Sequence, residues 1–193
     1  MKLVGSVTLA SRNEGKRREL EALAAGALPL TLLSVDAPDV VEDGATYLAN
    51  ARKKALSASR FTGGPALADD SGLEVDALGG APGVLSARYG GAGLDAAGRV
   101  ARLLEELGDV TDRGARFRCV LVFADGDECI SAEGVLEGEI ARAPRGDDGF
   151  GYDPVFLAAC FEGRTLAEVG AAAKNQISHR AVALRALLPK LTL

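Results

Sequence analysis

From Leu3 to Ala10 the chain is mostly apolar, interrupted by Gly5, Ser6 and Thr8, and just beyond it, at Asn13, the pattern changes period. Past that point Leu20, Leu23 and Ala24 recur at helical spacing. An apolar strand that feeds directly into a capped amphipathic helix needs a sheet on one side and a covering layer on the other, so this junction commits the chain to a layered α/β fold. Residues 3–11 are expected as a buried strand and Asn13 as the N-cap of a helix to about Ala25, closed by Gly26 and Pro29.

The later segments extend the pattern. Residues 30–35 read as a second strand, Thr46 to Arg60 as a helix, and Pro65 to Asp69 as a third strand, with Gly63 and Gly64 breaking the chain between the last two. Val100, Leu103, Leu104 and Leu107 mark a helix from Asp95 to Leu107, stopped by Gly108. From Arg116 to Asp125 the alternation places Phe117, Cys119, Leu121 and Phe123 on one strand face, and Gly126 turns that strand into a hairpin with residues 128–139. Cys119 is therefore expected in the core and not as a nucleophile. The last third holds a Gly/Asp loop at 146–153, a capping-box signature Thr165-x-x-Glu168, and a C-terminal helix carrying Val182, Leu184, Leu187 and Leu188. No linker, repeat or low-complexity tract divides the chain.

Composition excludes several function classes. With 27 acidic and 22 basic residues the net charge is −5, which gives no general attraction to nucleic acid or an anionic membrane, so any phosphate site must be local. No apolar run reaches the length of a membrane span, and the interrupted N-terminal stretch is a poor signal sequence. Cys119, Cys129 and Cys160 are odd in number and lack C-x-x-C spacing, against a disulfide frame or zinc site. A reducing cytoplasm is the expected location.

Four segments carry candidate chemistry. Ser11-Arg12-Asn13-Glu14-Gly15-Lys16 lies where a strand meets a helix N-terminus, whose unpaired N–H groups and dipole suit a phosphate, with Lys16 adding charge. It is not a Walker A loop, because Ala10 stands at the first glycine position and Arg17 at the Ser/Thr position. A plain helix cap with a solvated basic face is the alternative.

The second segment, Ala68-Asp69-Asp70-Ser71-Gly72-Leu73, ends an apolar run in two carboxylates, a hydroxyl and a glycine, suited either to a turn or to a hard cation and a phosphate. Neighbouring side chains in a strand face opposite ways, so only one of Asp69 and Asp70 addresses a given site unless the backbone turns between them. A metal here would be oxygen-ligated, favouring Mg²⁺, and Glu42 is either an ordinary loop carboxylate or a second ligand.

Gly149-Phe150-Gly151-Tyr152-Asp153-Pro154 is either a tight turn with packed rings or a wall on which a nucleobase stacks. Lys174-Asn175-x-x-Ser178-His179-Arg180 is either a basic helix start or a set of donors for phosphate and base. Gly91-Ala92-Gly93-Leu94-Asp95-Ala96 matches a dinucleotide fingerprint but follows no hydrophobic strand, and is set aside.

These four segments, in this order over nearly the whole chain, resemble the inosine/xanthosine triphosphate pyrophosphatases, the Ham1-like family. The resemblance rests on S-x-N-x-x-K at 11–16, ADDSGLEVDALGGAPGVLSARY at 68–89, GFGYDPVF at 149–156, and K-x-x-x-SHR at 174–180. It implies an elongated mixed sheet with flanking helices, forming two lobes around a nucleotide cleft within a single domain over 1–193, and usually a homodimer. The implied reaction is Mg²⁺-dependent hydrolysis of ITP, dITP and XTP to the monophosphate and pyrophosphate.

By position, Asp70 is then the base and a metal ligand, Glu42 the second metal carboxylate, and Ser71 a substrate contact. Ser11, Arg12, Asn13, Glu14, Gly15 and Lys16 hold phosphates. Phe150, Gly151, Tyr152 and Asp153 enclose base and sugar, and Lys174, His179 and Arg180 complete the contacts. Arg12 departs from the small residue common in the first loop, and Ala49 stands before Asn50 where an acid is common. A Maf-like pyrophosphatase and a nucleotide-binding module without turnover are the rival readings, and a substrate panel separates them.

Overall fold

Strand β1 (Val7–Leu9) is buried along its whole length and pairs in parallel with β2 (Leu30–Leu32) and with β3 (Ala66–Val75), in register Val7 with Leu30 and Leu9 with Leu67. Parallel neighbours need crossovers, which helices α1 (Glu14–Ala24) and α2 (Tyr47–Thr62) supply. These relations come from a computed structural model that describes residues 5–91 and 93–191. The other elements are α3 (Ala96–Leu107), β4 (Gly114–Asp125), β5 (Glu128–Ile140), β6 (Phe156–Ala158), α4 (Leu166–Ile177) and α5 (His179–Leu187). The six strands form one sheet in the order β2-β1-β3-β4-β5-β6, mixed because β5 and β6 are antiparallel.

Local chemistry accounts for the helix ends. The Asn13 side chain accepts from the Lys16 N–H at 3.0 Å, and Thr46 accepts from Ala49 N–H at 3.1 Å. Gly63, at φ 70°, closes α2 in the left-handed conformation that glycine adopts without penalty. At α4 the Glu168 carboxylate accepts from the Thr165 N–H at 2.7 Å, while the Thr165 hydroxyl donates to the Arg145 carbonyl. Asp95 caps α3.

The chain groups into two compact units. The first contains the described residues up to Asp70, Cys119–Gly134, and the segment from His179. Its core holds Leu9, Leu20, Leu67, Leu121, Phe123, Leu184 and Leu187, with Cys119 fully buried among them. Burial pushes the Cys119 thiol up, so it stays protonated and inert, as expected. The second unit contains Ser71–Arg118 and Val135–Ser178, around Leu73, Val75, Leu103, Leu107, Phe117, Ile140 and Phe156. Phe117 and Phe156 stack with ring centroids 4.5 Å apart.

Several expected boundaries move. The third strand does not end at Asp69 but continues to Val75, because Leu73 and Val75 are fully buried and Gly72 stays extended. The second strand is three residues long, not six, and Val35 is 90% exposed, with no partner layer to keep it extended. Strand β6 has no periodic signal in the sequence, three residues being too few to show one. The C-terminal helix stops at Leu187, where Pro189 sets a 3₁₀ turn, and Val182 is only half-buried. Residues 3 and 4 of the first expected strand, and residue 92 of the stretch set aside above, lie outside the described residues; Gly83–Arg88 before that stretch is a 3₁₀ turn and not a strand.

Candidate active site

In the first unit, β3 sends its consecutive aspartates into different partnerships, as strand alternation requires. Asp69 is 1% exposed, and its Oδ2 faces Lys16 Nζ at 3.1 Å and Arg180 Nε at 3.2 Å. Arg180 Nη1 in turn lies 3.1 Å from Glu19 Oε2. Burial works to raise the Asp69 pKa, but the charges of Lys16, Arg180 and Lys54 outweigh it and hold the carboxyl well below the usual range. Asp69 is a fixed anion that positions Lys16 on the first turn of α1.

Asp70 is different. Its Oδ2 accepts from Asn50 Nδ2 at 3.1 Å, and its Oδ1 lies 3.8 Å from Lys54 Nζ, which is 2.6 Å from Glu42 Oε2. Burial raises its pKa, Lys54, Lys16 and the Asn50 hydrogen bond lower it, and nearby Glu42 raises it again; the net shift is upward. A carboxylate with raised affinity for a proton is better matched to base catalysis near neutral pH.

Asn50 also clasps the loop that bears Glu42: its Oδ1 accepts from Gly44 N–H at 2.7 Å. A Cβ on Gly44 would stand 2.6 Å from that oxygen, so a side chain there would displace the Asn50 amide. Arg12 reaches the same loop, donating to the Ala37 carbonyl at 2.6 Å and pairing with Asp39 at 2.6 Å. Glu14 is exposed and pairs with Arg18, Ser11 and Gly15 are half-buried, and His179 is buried at the start of α5.

In the second unit, Asp153 organises the glycine-rich turn. Its Oδ2 accepts from the Phe150 N–H at 2.8 Å and from Lys174 Nζ at 2.6 Å, and Lys174 Nζ sits 4.6 Å from the centroid of the Phe150 ring. Gly149, at φ 79°, lets the chain fold over Asp153; a Cβ there would meet the carboxylate at 2.2 Å. Gly151 is also left-handed, at φ 64°. Tyr152 is buried in the core and donates to the Ser86 carbonyl at 3.0 Å; burial pushes its phenol up to about 12. Ser71 follows Asp70 on β3 and is half-buried.

Sequence reasoning missed Lys54, Asn50 as an anchor of Asp70, and Glu19. Each left a trace. Asn50 and Lys54 stand four apart, one above the other on α2, among the small inward residues Ala51, Ala55 and Ala58. Glu19 is an acid on the inner face of α1 beside Leu20, three residues after Lys16.

Among the described residues no group of three or more His, Cys, Asp or Glu side chains is arranged to hold a metal ion. Asp70 and Glu42 nevertheless converge on one positive charge, the Lys54 ammonium. Two carboxylates aimed at a common cation fit Mg²⁺, which takes one or two protein carboxylates and fills its remaining positions with water and phosphate oxygens. A separate pocket of about 730 Å³ lines the outer side of α2 with Val41, Lys53, Arg60 and Phe61, and includes neither Asp70 nor Lys16.

The model of the Ham1 family matches residues 7–190. The chain is 50% identical over 198 residues to a dITP/XTP pyrophosphatase of Ralstonia nicotianae, covering 97% of this chain and 96% of that one. It is 51% identical over 188 residues to the enzyme of the same name from Xylella fastidiosa, covering 94% of each. Among solved structures, a HAM1 protein from Coxiella burnetii superposes with a TM-score of 0.87 at 42% identity, covering 97% of this chain and 98% of that one. A dITP/XTP pyrophosphatase from Mycobacterium abscessus gives a TM-score of 0.74 at 42% identity, covering 96% and 99%. A family match over nearly the full length, with relatives at half identity and the same fold, leaves one assignment: the chain belongs to the Ham1 family.

Proposed function

We propose that this protein hydrolyses the non-standard purine nucleoside triphosphates ITP, dITP and XTP to the monophosphate and pyrophosphate, clearing deaminated purines from the nucleotide pool. It does so with Mg²⁺, as one catalytic domain over 1–193, as a homodimer, in the cytoplasm. The shared name of its half-identical relatives supports the reaction. The observation that carries the mechanism is the contrast between Asp69, held as an anion, and Asp70, whose proton affinity is raised beside Lys54 and Glu42.

Cleavage between the α and β phosphates needs an in-line water, neutralised oxygens and a stabilised pyrophosphate. Asp70 orients that water and accepts its proton. Lys16, aimed by Asp69, and the N–H groups opening α1 take up phosphate charge, with Ser11 to Gly15 shaping the loop and Arg12 tying it down. Asp70 and Glu42 would hold Mg²⁺, which supplies charge neutralisation at the phosphate oxygens. Ser71 contacts substrate; Phe150 to Asp153 receive base and sugar; Lys174, His179 and Arg180 complete the site. Among the described residues no helix is long and apolar enough to cross a membrane.

Hypoxanthine and xanthine offer a 6-oxo acceptor where adenine has an amino donor, so a site built from donors leaves unpaired groups against ATP. The expected order is ITP, dITP and XTP well above GTP and ATP. Incubation with ITP and Mg²⁺, measuring pyrophosphate and orthophosphate separately, tests the reading. Pyrophosphate without orthophosphate identifies α–β cleavage; orthophosphate, or comparable kcat/KM for all five nucleotides, refutes it.

A further inference from the structure

The Lys54 ammonium occupies the place between the two carboxylates assigned to the metal. It lies 2.6 Å from Glu42 Oε2 and 3.8 Å from Asp70 Oδ1, on a side chain that is only 14% exposed. A divalent ion cannot approach both carboxylates while a positive charge stands between them, because like charges a few ångströms apart in a partly buried site repel strongly. Without Lys54, the two acids would repel each other and raise the demand for a cation.

We propose that Lys54 is an internal counter-cation that holds the Asp70–Glu42 pair in the nucleotide-free protein, so that divalent metal and nucleotide bind with positive coupling and not independently. The inference rests on the reading that Asp70 and Glu42 are the metal's carboxylates. Incoming phosphates compete for the ammonium and release the carboxylates, and by linkage the metal then favours nucleotide by the same factor. The free protein thereby avoids a pair of bare acids, and metal enters with its substrate. Asn50, which donates to Asp70 Oδ2 and fastens the Glu42 loop through Gly44, keeps both acids in place as the cation changes.

The test measures Mn²⁺ affinity by electron paramagnetic resonance, with and without a non-hydrolysable α,β-imido ITP analogue. Wild type is expected to bind Mn²⁺ weakly alone and at least about tenfold more tightly with the analogue. Lys54→Met is expected to bind Mn²⁺ alone at least about tenfold more tightly than wild type, and the analogue adds much less. Lys54→Gln, which keeps a polar contact without the charge, must show the same gain if the Met variant does not fold by circular dichroism. Adding Asp70→Asn to either must abolish the gain. Unchanged Mn²⁺ affinity in both Lys54 variants, or a gain that survives Asp70→Asn, overturns the proposal. The underlying site is judged separately: Asp70→Asn and Glu42→Gln must each weaken Mn²⁺ in the analogue complex. If they do while the Lys54 variants gain nothing, the counter-cation falls and the metal site stands; if they do not, both fall.

Discussion

Asp69→Asn and Asp70→Asn make a one-atom change at adjacent positions of one strand, and the structure predicts opposite results. Asp69 is 1% exposed and joins Lys16 at 3.1 Å to Arg180 at 3.2 Å. Removing one member of a buried charge pair costs about 3–5 kcal/mol. Two features lessen the loss: Arg180 retains Glu19 at 3.1 Å, and the Lys16 side chain is 16% exposed and can turn to water. We therefore expect a loss of about 2–4 kcal/mol, lowering Tm by roughly 5–15 °C in a chain of this size.

The pH dependence follows from the sign of each shift. Asp69 has a depressed folded pKa, so its stabilisation is complete above the unfolded value of about 3.9 and fades as pH falls through that value toward the folded one. The gap between wild type and Asp69→Asn should thus be full at pH 7 and narrow in acid. Asp70 is raised, so its charged form costs stability at neutral pH, a cost relieved as pH falls through its folded pKa. Asp70→Asn should therefore fold at least as stably as wild type at pH 7 while losing about 10²–10⁴-fold in kcat. Urea denaturation at pH 7 and at about pH 3, below the unfolded carboxyl value, with pyrophosphate release from ITP at pH 7, reads all of this. An Asp69→Asn protein as stable as wild type, together with a destabilised or active Asp70→Asn, would refute the division of roles.

Three further outcomes are expected. The acid limb of kcat/KM against pH should have its midpoint above the ordinary aspartate value of about 3.9, set by Asp70, and a midpoint at or below it counts against Asp70 as the base. Gly134→Ala would place a Cβ 2.1 Å from the His179 carbonyl oxygen and 2.3 Å from Ala183 N, both backbone, so a loss of at least about 2 kcal/mol is expected in urea unfolding; wild-type stability would show that α5 does not seat so closely on β5. If Arg12 works through its tether to Ala37 and Asp39, Asp39→Ala and Arg12→Ala should raise KM for ITP by similar small factors, whereas a direct phosphate contact predicts an effect of Arg12→Ala alone.

Much of the fold was legible because it is written in local chemistry. Asn13, Gly63, Asp95 and the Thr165–Glu168 pair mark helix ends through bonds spanning a few residues, and the alternation of Phe117, Cys119, Leu121 and Phe123 needs only a strand with one buried face. The sequence pattern ends strand β3 at Asp69 because Asp, Ser and Gly ordinarily mark turns. Burial of Leu73 and Val75 overrides that preference. The candidate site divides the same way. Asp70 and Lys16 stand in recognisable strings of residues, while Lys54 and Glu19 are ordinary helix charges until a partner distant in sequence meets them.

The sequence by itself determined the α/β class, the family, and that only one of two neighbouring aspartates would serve a given site, since strand alternation forbids both. The resemblance singles out Asp70; only the tertiary structure supplies the partners that set the two apart. Lys16, Glu19 and Arg180 gather around Asp69, with Arg180 meeting Glu19 from 161 residues away in the chain, while Asn50, Lys54 and Glu42 gather around Asp70. The reason is physical: a carboxylate's proton affinity depends on its burial and on the charges within a few ångströms, and those are fixed by packing.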